Sequence, residues 1–130
     1  MKFARVVFLI AGLYGLVVLT PGYFFEQAIG RETPPPITHP EFFYGFLGVA
    51  LAWQVLFLLI AHNPVRYRPM MIPSILEKLS YAGAVIVLLK QHRIPPSTFD
   101  LGMVDLLLAV LFAVSFFKVR PSATDGTPNS

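Results

Sequence analysis

The sequence predicts an all-α polytopic membrane protein, an antiparallel bundle of four transmembrane helices, from three observations. Four apolar stretches, Phe3 to Thr20, Phe42 to Ala61, Ile75 to Leu89 and Leu101 to Phe117, fill most of the 130 residues. At ~1.5 Å rise per residue, about 20 residues cross a ~30 Å hydrocarbon core, so the second stretch spans unaided and the third needs its flanks. Apolar residues make up 55% of the chain, charged residues 13%, and the mean hydropathy is +0.67, which is more apolar than a water-soluble domain of this size. The middles of the stretches carry no Lys or Arg. One domain, residues 1–120, follows, with helices at about 3–20, 41–62, 74–91 and 98–118 and a polar, disordered cytoplasmic tail at 121–130.

The first stretch resembles a secretory signal at its start, Met1-Lys2-Phe3-Ala4-Arg5. The residues after it, Thr20-Pro21-Gly22-Tyr23, lack the small-residue cleavage pattern, so it is read as an uncleaved first helix. Between the first and second helices, Tyr23-Phe24-Phe25 and Ala28-Ile29 predict a short helix at the headgroup level, and Pro34-Pro35-Pro36 a stiff extended return. The helix is read as an interfacial anchor, with a lid over the outer mouth as the alternative. Three later starts, Thr38 to Glu41, Ser74 to Glu77 and Ser97 to Asp100, place a hydroxyl three residues before a carboxylate, the pattern of a capping box. Prolines 36, 40, 73, 95 and 96 flank them, where a missing amide proton costs nothing.

Positive charge orients the bundle. Lys2, Arg5, Arg66, Arg68, Lys78, Lys118 and Arg120 fall on the side of the termini, against Arg31, Lys90 and Arg93 on the other, so both termini are expected in the cytoplasm. Arg66 and Arg68 are assigned to lipid headgroups, and Lys78 is expected to snorkel to the interface. The net charge of +3 forms no basic stripe with interleaved aromatics, which excludes a nucleic-acid partner. With no cysteine, thiol nucleophiles, disulfides and thiolate metal sites are excluded. The small pairs Ala11/Gly15, Gly48/Ala52, Ser80/Ala84 and Ala109/Ala113 give each helix a face for close approach.

Function rests on polar side chains inside the bundle. Asp105 lies ~10 Å along the fourth helix if that helix starts at Ser97, beyond capping reach, and an unpaired carboxyl there is costly. Gly102, Asp105, Ala109 and Phe112 share one face, which turns Asp105 inward. Lys90 is its expected partner, with Tyr44, His39 and Glu41 as alternatives. Glu77 either closes the cap with Ser74 and pairs with Arg66 or Arg68, or joins Ser80, Tyr81 and Gln54 in a pocket open to the cytoplasm. His39 and His92 sit at helix ends, so no metal or haem is assigned, and no cofactor or catalytic motif is read.

The run Trp53-Gln54 to Pro64, Arg66-Tyr67-Arg68-Pro69 and Leu76-Glu77-Lys78 resembles small uncharacterised bacterial inner-membrane proteins, over about residues 40–90. In layout the chain is more distantly similar to DoxX-like proteins, a resemblance that implies a bacterial inner-membrane location and, by fold analogy, a link to quinone-dependent oxidation. Two functions remain. The first is a non-enzymatic structural or accessory subunit, associating with lipid and with a second copy or a membrane protein partner. The other is a carrier or quinone-linked redox accessory, binding a small amphipathic molecule with Asp105 or Glu77 as proton acceptor. Its ligand and proton candidates are Asp105, Glu77, Gln54, Tyr81, Lys90 and Tyr44.

Overall fold

The computed structural model describes residues 2–32 and 37–119; the proposed Pro34-Pro35-Pro36 return, Arg120 and the 121–130 tail lie outside them. The described chain is all helical: α1 (Lys2–Leu19), a short α2 (Glu26–Glu32), α3 (Pro40–His62), α4 (Met71–Lys90) and α5 (Phe99–Lys118), with single 3₁₀ turns before α2, α4 and α5. Counting those turns, Lys2–Tyr23, Pro40–His62, Arg68–Lys90 and Pro96–Lys118 are long and apolar enough to cross a bilayer. The chain is therefore a multi-pass membrane protein folded as an antiparallel four-helix bundle. The third stretch does recruit its flank, because α4 begins at Met71, and a short helix, α2, stands in the first loop, starting at Glu26, after Tyr23-Phe24-Phe25.

None of the three capping boxes forms. The N-cap positions are His39, Met70 and Thr98, and none makes a side-chain cap hydrogen bond. Instead the 3₁₀ turns at Arg68–Met70 and Pro96–Thr98 lead into α4 and α5 and shift both starts away from the predicted caps. Ser74, now inside α4, donates its hydroxyl to the Met70 carbonyl at 2.7 Å. At the other end of α4 the chain reverses through His92, which adopts a left-handed φ of 58°. The Arg93 amide bonds the Leu88 carbonyl at 3.0 Å and the His92 amide bonds that of Leu89 at 3.1 Å, a Schellman ending built without the usual glycine.

Packing divides the bundle into two hairpins. α1 lies along α3 and α4 along α5; the hairpins join through α1 and α5, while α3 and α4 barely touch. Lipid tails are as apolar as side chains, so close packing rather than water exclusion holds such helices together. At the end carrying the termini, Phe8, Phe57 and Phe112 are fully buried. Phe8 stacks on Phe112 at 4.2 Å and Phe57 meets Phe112 edge-on at 5.0 Å, which ties α1, α3 and α5 together. Of the small pairs, Ala11, Gly15 and Ala109 are buried and Ala113 is half-buried, but Gly48, Ala52, Ser80 and Ala84 are exposed. Those two pairs do not build this bundle.

Arg68 departs from its headgroup assignment. Its Nε donates to the Phe116 carbonyl at 3.0 Å and to the Val119 carbonyl at 2.7 Å, and its guanidinium lies 3.8 Å from the Phe116 ring centroid. A cation thus closes the C-terminal carbonyls of α5, which have no partners within the helix. Arg66 stays exposed beside the Tyr67 ring. Arg68→Ala is expected to lower stability by about 2–3 kcal/mol, read as an earlier midpoint when the protein is unfolded with SDS in mixed micelles, whereas Arg66→Ala should leave the midpoint unchanged.

Candidate functional site

Where the two hairpins diverge, α4 turns the stripe Met71, Ser74, Lys78, Ala82 and Val85 inward, at the three-and-four spacing of a packed face. Lys78 belongs to that stripe and is 6% exposed. It does not snorkel, because it lies ~10 Å along α4 from Met71 and points between the helices. Its ammonium donates to Asp105 Oδ1 at 3.4 Å and stands 3.6 Å from Glu77 Oε2. Its other face approaches the Phe57 ring, 5.3 Å from the centroid. Asp105 therefore faces inward as its helical face implies, but its partner is Lys78. Lys90 is exposed at the last residue of α4.

The remaining expected partners are engaged elsewhere. Tyr44 donates to Glu26 Oε2 at 3.1 Å, which binds α2 to the start of α3. His39 and Glu41 pair with each other at 3.2 Å on the surface. Glu77 neither caps α4 nor meets Arg66 or Arg68. Among the described residues no group of three or more His, Asp or Glu is placed to hold a metal ion.

Gln54 reaches the same depth from α3, as the antiparallel register predicts, and is 2% exposed. Its Nε2 donates to the Ala50 carbonyl at 2.9 Å, which fixes the orientation of the amide. Oε1 is then left without a donor, while Glu77 Oε2 has only the more distant Lys78 ammonium, at 3.6 Å. Gly15 makes room for this amide, since a Cβ there would overlap the end of the Gln54 side chain and stand 2.6 Å from its Cγ.

Around these groups is a cavity of about 180 Å³, where ~10–15 Å³ suffices for a single water. Its polar wall is Gln54, Glu77, Lys78 and Asp105, with Tyr14 and Tyr81 beside them; Val18, Phe46 and Leu101 make the apolar side. Phe46, Ala50, Glu77 and Tyr81 also line a groove between α3 and α4, flanked by Trp53 and Ser80. The cavity thus adjoins the outer surface within the spans, along the seam where α3 and α4 barely touch.

No family model, curated protein or solved structure matches this chain. The site therefore stands on its own chemistry. Glu77, Tyr81 and Gln54 line one cavity, and Asp105, expected apart from them beside Lys90, lines it too; Lys90, Tyr44, Arg66 and Arg68 do not join them. Lys78 and Tyr14 are the additions. The stripe running from Met71 to Val85 was the available signal for Lys78, since a lysine within an otherwise small and apolar face is buried unless its helix ends beside it.

Proposed function

We propose that the protein is a small membrane carrier that binds an amphipathic molecule in the cavity between its hairpins, with Asp105 or Glu77 exchanging a proton as the ligand enters and leaves. The observation that carries this reading is a buried lysine shared by two carboxyl groups in the wall of a cavity within the spans. Ionisable side chains inside a membrane are costly and serve mostly as ion or substrate sites. Two carboxyl groups against one ammonium also give the site one group able to change protonation while the other keeps Lys78 paired. The excess of Lys and Arg at the end carrying the termini supports a cytoplasmic placement of that end, in a bacterial inner membrane.

A structural or accessory subunit is the second reading, and one observation favours it. Gly45 and Gly83 have open space where a Cβ would sit, and Ala52 and Ala84 are exposed on the same helices, so α3 and α4 offer close-approach faces to a second copy or another membrane protein. A redox accessory handling a quinone remains the DoxX-like variant of the carrier reading.

Native mass spectrometry of the protein released from lipid discs, with absorbance recorded on the same sample, separates them. A carrier is expected to retain a reproducible non-lipid adduct that Asp105→Asn or Glu77→Gln weakens. Protomers or oligomers with phospholipid alone would support the accessory reading, and a bound chromophore the redox one.

A further inference from the structure

We propose that the ligand is a small lipid-soluble amine, a compact apolar body with a protonated amino head, entering sideways from the bilayer between α3 and α4. The inference rests on the carrier reading and adds the chemical class of the ligand. In the cavity wall Gln54 Oε1 has no donor, and Glu77 Oε2 has only the Lys78 ammonium, 3.6 Å away and already donating to Asp105. A group that fills the cavity should supply N–H or O–H, because a buried acceptor left unpaired is destabilising. The donor bond from Gln54 Nε2 to the Ala50 carbonyl sets Oε1 on the side of Gly15, where the unpaired group is an acceptor.

Charge points the same way. The charged groups lining the cavity are Glu77 and Asp105 against Lys78, and the other polar side chains there are Gln54, Tyr14 and Tyr81. With both carboxyl groups ionised, the cluster carries one negative charge in excess. An ammonium would offset this imbalance and bring N–H donors to the Glu77 carboxylate and the unpaired Gln54 oxygen through charge-assisted bonds. An anion would add to the excess, and an acceptor-only quinone, even with Tyr14 or Tyr81 donating to it, would leave the excess charge and the Gln54 oxygen unmet. The aromatic wall, Phe46 with Tyr14 and Tyr81, suits a cationic head attached to an apolar body. The groove past Trp53 and Ser80 opens toward lipid, where such a molecule would partition.

Trp53 is the sole tryptophan of the chain, and it flanks the groove, so its emission reports occupancy. Protein in lipid discs is titrated with 2-phenylethylamine, with the near-isosteric 2-phenylethanol and phenylacetate, and with a short-chain benzoquinone, each checked by thermal shift. The expected result is a saturable response to the amine, at least about tenfold tighter than to the alcohol, and weakened about tenfold or more by Gln54→Met. Glu77→Gln, which removes the excess negative charge, provides the same test if the first variant folds poorly. Saturable binding of the acid or the quinone without the amine, or equal binding of amine and alcohol, would overturn the amine assignment and leave the carrier reading in place. Unsaturable partitioning of all four, together with protein free of non-lipid adducts by mass spectrometry, would overturn both.

Discussion

Replacing Lys78 with methionine is expected to destabilise the bundle more than any other single change to the polar cluster, by about 3–5 kcal/mol, because it removes one side of a buried ion pair and leaves the other without counter-charge. Asp105 and Glu77 both face that ammonium, at 3.4 and 3.6 Å, so the loss leaves two carboxyl groups sharing a low-dielectric site. The size of methionine matches the aliphatic stem, and a packing defect is thereby kept out of the comparison. The double variant Lys78→Met with Asp105→Leu should recover a large part of the loss, since two well-packed apolar groups often replace a buried pair at little cost. SDS titration in mixed micelles measures both. Equal midpoints for Lys78→Met and the wild type would mean that Lys78 is not held inside the bundle.

Gly15→Val is expected to give the second large effect. Its Cβ would overlap the Gln54 amide, and Gln54 is fully enclosed, so α1 must move away from α3 or the glutamine must be displaced into the cavity. Overpacking of this kind costs about 1–3 kcal/mol, occasionally more. The paired change Gly15→Ala with Gln54→Ala should be milder than Gly15→Ala alone, because shortening the glutamine removes the obstacle. Such coupling between neighbours is what a double-mutant cycle detects. Additive effects would place Gln54 away from α1. At Gly83, by contrast, the space is open, and Gly83→Ala should leave the monomer's unfolding midpoint nearly unchanged.

These two residues illustrate what the sequence could and could not disclose. The four spans were legible because bilayer thickness sets a length that apolar runs report directly. The inward face of Asp105 was legible too, through its helical spacing to Gly102, Ala109 and Phe112. Depth on α4 was misjudged, because the Ser74 to Glu77 spacing pointed to a start three residues after the observed one at Met71. That shift takes Glu77 and Lys78 from the first turn into the second, out of capping reach and away from the interface. Lys90 was misassigned for a related reason: it ends α4 on the surface, whereas Lys78, expected at the interface, is buried beside Asp105.

Arg68 shows a different limit. Its acceptors are backbone carbonyls 48 and 51 residues further along the chain, and no residue type marks a carbonyl as available. The separation of α3 from α4 was equally hidden, since the small pairs on both helices promised a contact. Gly48/Ala52 and Ser80/Ala84 have the same spacing as pairs that do pack, and only the arrangement of all four helices distinguishes a packed face from an open one. The cavity follows from that separation, so its existence could not be read from any single helix.

Whether Lys78 stands inside the bundle is most directly tested by solid-state NMR in lipid bilayers, through the dipolar coupling between the Lys78 Nζ nitrogen and the Asp105 side-chain carboxyl carbon. A short separation, consistent with the 3.4 Å nitrogen–oxygen contact, is the predicted result, with no coupling of that nitrogen to lipid phosphorus. A Lys78 nitrogen coupled to phosphate and not to Asp105 would place the side chain at the interface and contradict the site from which the carrier function is inferred.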